Sequence, residues 1–466
     1  MSTPGTADNP LRVAVIGSGP AAFFVVEHLL ARDGLHVLVD MYERLPTPFG
    51  LVRFGVAPDH QKIKSVTRTF EKAAAKPGVR YFGNVDVGAH VTLDDLRACY
   101  HQICFATGAQ TDRQLGIPGE GLARSHAATE FVAWYNAHPD YRDCRFDLSV
   151  ERVAVVGVGN VAVDVARILC RTPEELAATD IAPYAEEALA ASRIREVYML
   201  GRRGPAQAAF TNPEVRELGA LPGADVWVPP DEAVPDAPSL KQLEAEDDRA
   251  VRKRLEILAD FAQRAPTGKP RRLVLRFLVS PVALHGNEAG QVVGMRLVRN
   301  RLEERDGRLS AVPTDEFEEL PVELVFRSVG YHGVPIAGLP FHDKWGTVPH
   351  EAGRVVDPAR GEPVPGIYVA GWIKRGPTGV IGTNKADAAE TVETMVADLA
   401  RGGGLAPACP DPAAAEQLVR ARCPEMVSYA DWRRLDELET ARGKPVGRPR
   451  IKFTSVRAML EALEHH

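Results

Sequence analysis

The stretch that decides the fold is Leu11-Arg12-Val13-Ala14-Val15-Ile16-Gly17-Ser18-Gly19-Pro20-Ala21-Ala22, which leads into an apolar helix and a second strand ending on Glu43. Val13 to Ile16 is a short apolar run of the kind that forms a buried strand. The turn after it has G-x-G-x-x-A spacing, the dinucleotide fingerprint with Ala in the third glycine position. Each position has a physical reason. Gly17 permits the tight turn, Gly19 lets the backbone approach a pyrophosphate, and Ala22 lets the helix pack closely on the strand with its first N–H groups aimed at the phosphates. Glu43 is placed to accept hydrogen bonds from a ribose diol.

The same architecture recurs from Glu151 to Gly204. Val153 to Val156 is a strand, Gly157-Val158-Gly159-Asn160-Val161-Ala162 is a second G-x-G-x-x-A turn, and an apolar helix runs from about Val161 to Cys170. Residues 173–193 are an Ala/Glu-rich insertion of helical character. The next strand, Glu196 to Leu200, ends on Gly201-Arg202-Arg203-Gly204. Two such units, each with its own sheet, mean two nucleotide sites and duplication of a whole fold rather than a short solenoid period. The ends of the second strands differ. A carboxylate such as Glu43 repels a 2′-phosphate, whereas two guanidinium groups bind one. The first site therefore suits an unphosphorylated adenosine ribose and the second suits NADP(H), unless Arg202 and Arg203 are only solvated surface charges. An ADP-ribose site at the start of the chain with an NADP(H) domain in its middle suggests a flavoprotein.

Composition narrows the class. At 466 residues the chain is long enough for two large or roughly three smaller domains. With 45% hydrophobic and 25% charged residues it has ample core, and a net charge of −6 points to no nucleic-acid partner. No apolar run approaches the roughly 20 residues that span a bilayer, so no membrane partner is expected. Met1 to Pro10 lacks the features of a targeting peptide. The six cysteines (Cys99, Cys104, Cys144, Cys170, Cys409, Cys423) include no C-x-x-C pair. That argues against a metal site, a redox disulfide centre or a cysteine-bound iron–sulfur cluster, and fits a reduced cytoplasm. Leu463 to His466 looks like the stub of an expression tag, and His465 and His466 are given no functional weight.

Between the two cradles, Leu45-Pro46-Thr47-Pro48-Phe49-Gly50-Leu51-Val52-Arg53 is a Pro/Gly-rich loop too ordered in composition to be a linker. It continues through Gly55 to His60 into a helix expected to carry Ile63, Val66, Phe70 and Ala74 on one face. Strands at Val79 to Phe82 and Gln102 to Ala106 follow. Beyond the second cradle, Asp231 to Arg249 reads as an acidic surface excursion. Residues 249–276 reverse the sign, with nine Lys or Arg against two acids, Glu256 and Asp260. Strands are expected at Leu273 to Leu278, Val292 to Val298, Val322 to Ser328 and Gly366 to Ala370. The last runs into Gly371-Trp372 and a glycine-rich turn, Gly376 to Lys385, that opens a helix near Ala386; its spacing is not that of a nucleoside-triphosphate loop. This helix N-terminus is placed to stabilise negative charge on a reduced flavin ring; the plainer reading is a simple strand–helix connection. Gly402 to Gly404 begin a linker to a C-terminal tail with helical patches and no assignable role.

The combination of Gly17 to Ala22, Leu45 to Arg53 with Gly55 to His60, Gly201 to Pro205, and Gly371 to Lys385 resembles the adrenodoxin reductase family, nearest to its actinobacterial NADPH–ferredoxin reductases. The similarity runs from about residue 11 to 456, and Gly371-Trp372 stands where wider glutathione-reductase-like flavoproteins carry Gly-Asp. The resemblance implies an α/β chain of two Rossmann-like dinucleotide-binding domains, glutathione-reductase-like, with the NADP domain (112–334) inserted into the FAD domain (1–111 and 335–466, with a tail from about 405). It implies FAD contacts from Gly17, Gly19, Ala22, Glu43, Leu51, Val87, Trp372, Gly379, Val380 and Ile381. NADP(H) contacts are implied from Arg113, Asn160, Val161, Ala162, Val163, Arg202, Arg203, Glu214 and Gly379. His60 and Glu214 are implied near the flavin and nicotinamide, tuning the site or relaying a proton; the plainer reading of His60 is a loop histidine capping the next helix. Pro213 is expected to bias Asn212 toward extended backbone.

The activity so implied is hydride transfer from NADPH to FAD, then single-electron transfer to a ferredoxin that feeds a chain such as a cytochrome P450 system. An acidic ferredoxin has a candidate docking surface near Arg252, Lys253 and Arg254, although neighbours on a helix point in different directions. A helix face that balances the acidic stretch before it is the competing reading. Other readings of the whole chain are a flavin-containing NADPH dehydrogenase or quinone reductase, an electron-input subunit of a larger assembly, and a nucleotide-sensing scaffold that keeps only the fold.

Overall fold

The computed structural model describes residues 4–409 and 411–464, so the tag-like His465 and His466 lie outside the described residues. The chain divides into two compact units. One comprises Met1–Val56, His60–Thr111 and Gly330–His466, and the other Ala57–Asp59 and Asp112–Val329. The chain is thus α/β, with the second unit inserted into the first.

In the first unit Leu11–Ile16 is a fully buried strand paired in parallel with Val37–Tyr42 on one side and Gln102–Phe105 on the other. The seven-stranded order is His350–Glu351, Arg354–Asp357, Glu362–Val369, Gln102–Phe105, Leu11–Ile16, Val37–Tyr42 and Val79–Phe82. The first three strands pair antiparallel and the rest parallel. Parallel strands covered on both faces read as near-continuous apolar runs, which is why Val13 to Ile16 was so legible. Helix Pro20–Leu30 starts on Pro at its first turn and buries Ala21 to Val26 and Leu29 against the sheet. The single helix expected after His60 is broken into Gln61–Lys64 and Thr67–Ala74. Phe70 stacks on Phe23 with ring centroids 4.9 Å apart, whereas Ile63 belongs to the short segment and is exposed.

The C-terminal residues are not a loose tail. Helices Ala413–Arg422, Tyr429–Gly443 and Val456–Glu464 follow the linker. Trp432, Leu435, Phe453 and Met459 join the same buried cluster as Phe23, Phe49 and Phe70.

The second unit has a six-stranded parallel sheet in the order Ser125–Ala127, Leu324–Arg327, Arg152–Val156, Glu196–Leu200, Arg271–Arg276 and Ala224–Trp227. Helix Asn160–Cys170 packs on it, and 173–193 forms two helices, Pro173–Ala177 and Pro183–Ala190, as expected. A three-stranded antiparallel sheet, Val279–Gly286, Val292–Arg305 and Arg308–Leu320, is much larger than the one strand foreseen there. The acidic stretch after Asp231 is also not wholly at the surface. Glu232 is 2% exposed because Arg276 and Arg299 both close on Oε1, each at 2.8 Å.

Candidate functional site

Both G-x-G-x-x-A turns are built for a ligand's backbone contacts. Gly17 has φ +106°, and a Cβ there would lie 2.5 Å from the Ala106 carbonyl oxygen; Gly157, at φ +135°, is closed in the same way by Ser328. Gly19 and Gly159 have open space in front of them. These two glycines cap helices Pro20–Leu30 and Asn160–Cys170 without any side-chain cap. Helices Leu93–Cys99 and Tyr429–Gly443, by contrast, carry full capping boxes on Thr92 and Ser428. The first-turn N–H groups at both cradles are therefore left to an anion.

In the first unit the Glu43 carboxylate is half-buried beside its glycine turn. Ser18 Oγ donates to Oε2 at 2.6 Å and the Leu45 N–H to Oε1 at 3.1 Å. Burial raises its pKa, and the Ser18 and Leu45 hydrogen bonds oppose the rise. The loop after it abuts the turn, with the Phe49 N–H donating to the Ser18 carbonyl at 2.9 Å. Thr47 Oγ1 is buried in this loop with no hydrogen-bond partner among the described residues, a polar atom that a polar ligand group can satisfy. Ala22 is fully buried under the turn, while Leu51 and Val87 are half-buried.

The glycine-rich turn 376–382 opens helix Thr383–Ala400, which starts at Thr383 rather than Ala386 because Thr383 Oγ1 accepts the Val380 N–H at 3.1 Å. Gly379 and Val380 are exposed, Val380 at 54%, and Ile381 is half-buried. Trp372 is half-buried, with its indole N–H donating to the Thr378 carbonyl and its ring 5.1 Å from Tyr331. The preceding glycine is pinned from below: the Gly371 N–H donates to Asp387 Oδ2 at 2.5 Å. Buried Lys374 pairs with Asp387 at 3.1 Å and Glu390 at 2.6 Å. His60 occupies the N-cap of Gln61–Lys64, but its side chain makes no cap hydrogen bond.

In the second unit Ala162 and Val163 are fully buried, so only their backbone can face a ligand; Val161 is half-buried. Asn160 uses its side chain elsewhere, with Oδ1 accepting the Thr211 N–H at 2.8 Å. That bond fixes the start of helix Asn212–Leu218, which carries Glu214 in its first turn. The extended residue ahead of Pro213 proves to be Thr211, not Asn212. Proline in the first helical turn has no N–H to leave unsatisfied, so the helix begins one residue earlier than the local bias indicates. Arg202 is exposed and Arg203 half-buried. Burial lowers the Arg203 pKa, and the neighbouring Arg202 charge adds to the fall. Arg113 is exposed on the chain's entry to this unit.

Sequence reasoning missed Arg167, whose side chain is 0% exposed. It grips Asp59 with two hydrogen bonds of 2.9 and 3.1 Å, Asp164 at 2.8 Å and Glu214 at 3.4 Å. Burial alone lowers its pKa, but Asp164 and Asp59 outweigh that and the net shift is upward. Arg171 adds a second contact to Asp59 at 3.0 Å. The signal was present: Asp164 and Arg167 stand three apart as the two charged residues of helix Asn160–Cys170.

On helix Arg249–Gln263, Arg252 pairs with Asp247 at 3.2 Å and Lys253 with Glu256 at 2.7 Å. Arg254 turns inward to the Ala206 carbonyl at 3.0 Å. Only the first two are exposed.

A profile of the pyridine nucleotide-disulphide oxidoreductase family matches residues 11–203. The chain is similar to NADPH-ferredoxin reductase FprA of Mycobacterium tuberculosis, with 48% identity over 464 residues, covering 97% of this chain and 98% of that one. It is 41% identical to the mitochondrial NADPH:adrenodoxin oxidoreductase of Homo sapiens, over 99% of this chain and 93% of the relative. The solved structure of Mycobacterium tuberculosis FprA in complex with NADPH matches with a TM-score of 0.92 at 47% identity, covering 98% of this chain and 100% of the other.

Proposed function

The chain belongs to the adrenodoxin reductase family, and on that premise we propose that it is an FAD-dependent NADPH–ferredoxin oxidoreductase. The observation that carries this reading is the opposite electrostatics of two like-built cradles: a carboxylate, Glu43, beside the first and two adjacent guanidinium groups, Arg202 and Arg203, beside the second.

When bound, FAD supplies the exchange between a two-electron hydride donor and one-electron acceptors. The protein's part is orientation and electrostatics. Gly17, Gly19 and the uncapped turn at Pro20 hold the pyrophosphate, and Glu43 accepts the ribose hydroxyls. Leu51, Val87, Trp372 and Gly379 to Ile381 line the flavin end, with the N-terminus of Thr383–Ala400 offsetting negative charge there. Asn160 to Ala162 offer backbone N–H groups to the nucleotide of NADP(H), whereas the Val163 N–H already donates to the Gly159 carbonyl at 3.1 Å; Arg202 and Arg203 take the 2′-phosphate, and Arg113 lies at the start of the unit. The Glu214 carboxylate and the His60 imidazole are the groups able to hold or move a proton.

The partner is an acidic ferredoxin, docking through Arg252 and Lys253. Their local ion pairs weaken the patch, so its role is in steering encounter more than in affinity. A reduced cytoplasm suits the chain, whose six cysteines are all free.

The test is direct. Purified protein should show flavin absorbance and NADPH-dependent reduction of ferricyanide, and of cytochrome c when ferredoxin is added. Absence of both flavin and NADPH-dependent reduction overturns the reading. Arg252→Glu with Lys253→Glu should slow the ferredoxin-coupled reaction and spare ferricyanide; an unchanged ratio removes this patch from docking.

A further inference from the structure

Arg53 lies in the short helix Leu51–Phe54, which directly follows the loop that abuts the first glycine turn, and its side chain is buried, 4% exposed, against a carboxylate from near the other end of the chain. Arg53 Nη2 donates to Glu439 Oε1 at 2.5 Å, and the Glu439 side chain is 0% exposed. The guanidinium also lies over the Trp432 ring, 5.1 Å from its centroid, and Trp432 meets Phe49 edge-on at 5.8 Å. Lys452 Nζ donates to the Arg53 carbonyl at 3.2 Å, and the Phe453 N–H donates to the same Glu439 oxygen at 2.9 Å. Two C-terminal segments, helix Tyr429–Gly443 and the run 450–453, thus close on this one residue.

That residue stands next to the cradle. Gly50, at φ +48°, brings the loop so close to the turn that a Cβ on it would lie 3.1 Å from the Gly19 Cα. The Phe49 N–H is bonded to Ser18 in the same approach. The Arg53 N–H donates to the Gly50 carbonyl at 3.1 Å, which ties Arg53 to the peptide that lies against the glycine turn.

A buried ion pair is a poor device for stability alone, because apolar side chains of similar volume pack as well without the desolvation cost. What it adds is direction. The planar guanidinium stacks on Trp432 and points its edge at one carboxylate, so only one placement of the loop satisfies both.

We propose that the C-terminal segment is a latch on the flavin loop, with Arg53 and Glu439 as positioning residues whose buried pair sets how tightly FAD is held. This rests on the reading that the first cradle binds FAD. It gives the residues after Gly404 a role in the cofactor site, although none of them belongs to a nucleotide fingerprint.

The test uses the full-length holoprotein. FAD release after dilution is followed by flavin fluorescence, NADP+ affinity by titration, and the fold by far-ultraviolet circular dichroism. Glu439→Gln keeps the side-chain size and an acceptor for Phe453 but removes the charge. It should release FAD at least about tenfold faster, with NADP+ affinity and dichroism unchanged. Arg53→Lys, which keeps charge and loses the planar stack, should fall between that variant and wild type. Lys452→Met removes only the contact to the Arg53 carbonyl; it should accelerate release less, and it decides the matter if Glu439→Gln fails to fold. Release within about twofold of wild type in the folded variants overturns the latch, as does a parallel loss of NADP+ affinity, which would signal general destabilisation. A wild-type protein that holds no FAD overturns the FAD reading itself, a result distinct from wild type and variants holding it equally.

Discussion

Asn160 Oδ1 accepts the backbone N–H of Thr211 at 2.8 Å, so the helix of the second cradle holds the start of the helix that carries Glu214. Asn160→Ala leaves that N–H unpaired at a cost of about 1–3 kcal/mol. The expected outcome is a KM for NADPH raised by about tenfold or more, with the flavin spectrum unchanged. Steady-state kinetics over a range of NADPH concentrations check it.

Arg202 and Arg203 should set the choice between NADPH and NADH. Each charge-assisted contact to a 2′-phosphate is worth about 1.5–3 kcal/mol. Arg202→Ala or Arg203→Ala should therefore lower kcat/KM for NADPH by about 10- to 100-fold while leaving the NADH value near wild type. Equal losses with both nucleotides would show that the arginines serve the fold rather than the phosphate.

Arg167 is a costly charge to remove. Arg167→Met takes the buried cation from Asp164 and Glu214 and leaves Asp59 with Arg171, a loss of about 3–5 kcal/mol. The urea midpoint of unfolding should fall accordingly. Arg195→Met, at a loose pair with Glu151 in which both side chains are mostly exposed, should leave the midpoint unchanged.

His101 gives the first unit a pH dependence. It is buried, its Nδ1 accepts the Arg12 N–H at 3.0 Å, and burial together with the Arg12 charge pushes its pKa down to about 4. The unfolded chain takes up the proton near the ordinary histidine value of about 6.5. The neutral folded form is thus fully favoured above that value, and stability falls as pH drops from about 6.5 toward 4. Chemical denaturation across that window should show the decline, and His101→Gln should flatten it.

The two cradles were legible because their signal is local. Strand, glycine turn and helix follow one another within about twenty residues, and both strands are apolar on both faces. The antiparallel sheet from Val279 to Leu320 was not, because its last strand is exposed along much of its length and carries Asp315, Glu316, Glu318 and Glu319. Glu232 looked like part of an acidic surface run; its burial depends on Arg276 and Arg299, which arrive from later strands. The helix expected after His60 had the right period, but Ile63 stays exposed, while Val66 packs half-buried against the core that Phe70 and Ala74 enter. The Arg53–Glu439 pair joins residues hundreds of positions apart, and no periodicity reports such a contact.

The inserted second unit also bears on how the molecule is made. Gln102–Phe105 and Glu362–Val369 are neighbours in one sheet, with Ile103 beside Ile367, yet nearly all of the other unit is synthesised between them. During translation the first half of that sheet must wait, with one edge of Gln102–Phe105 unpaired, while the inserted unit, nearly continuous in sequence, can fold as soon as it emerges. The sheet that carries the first cradle is therefore the one completed last on the ribosome, although its first strands emerge first.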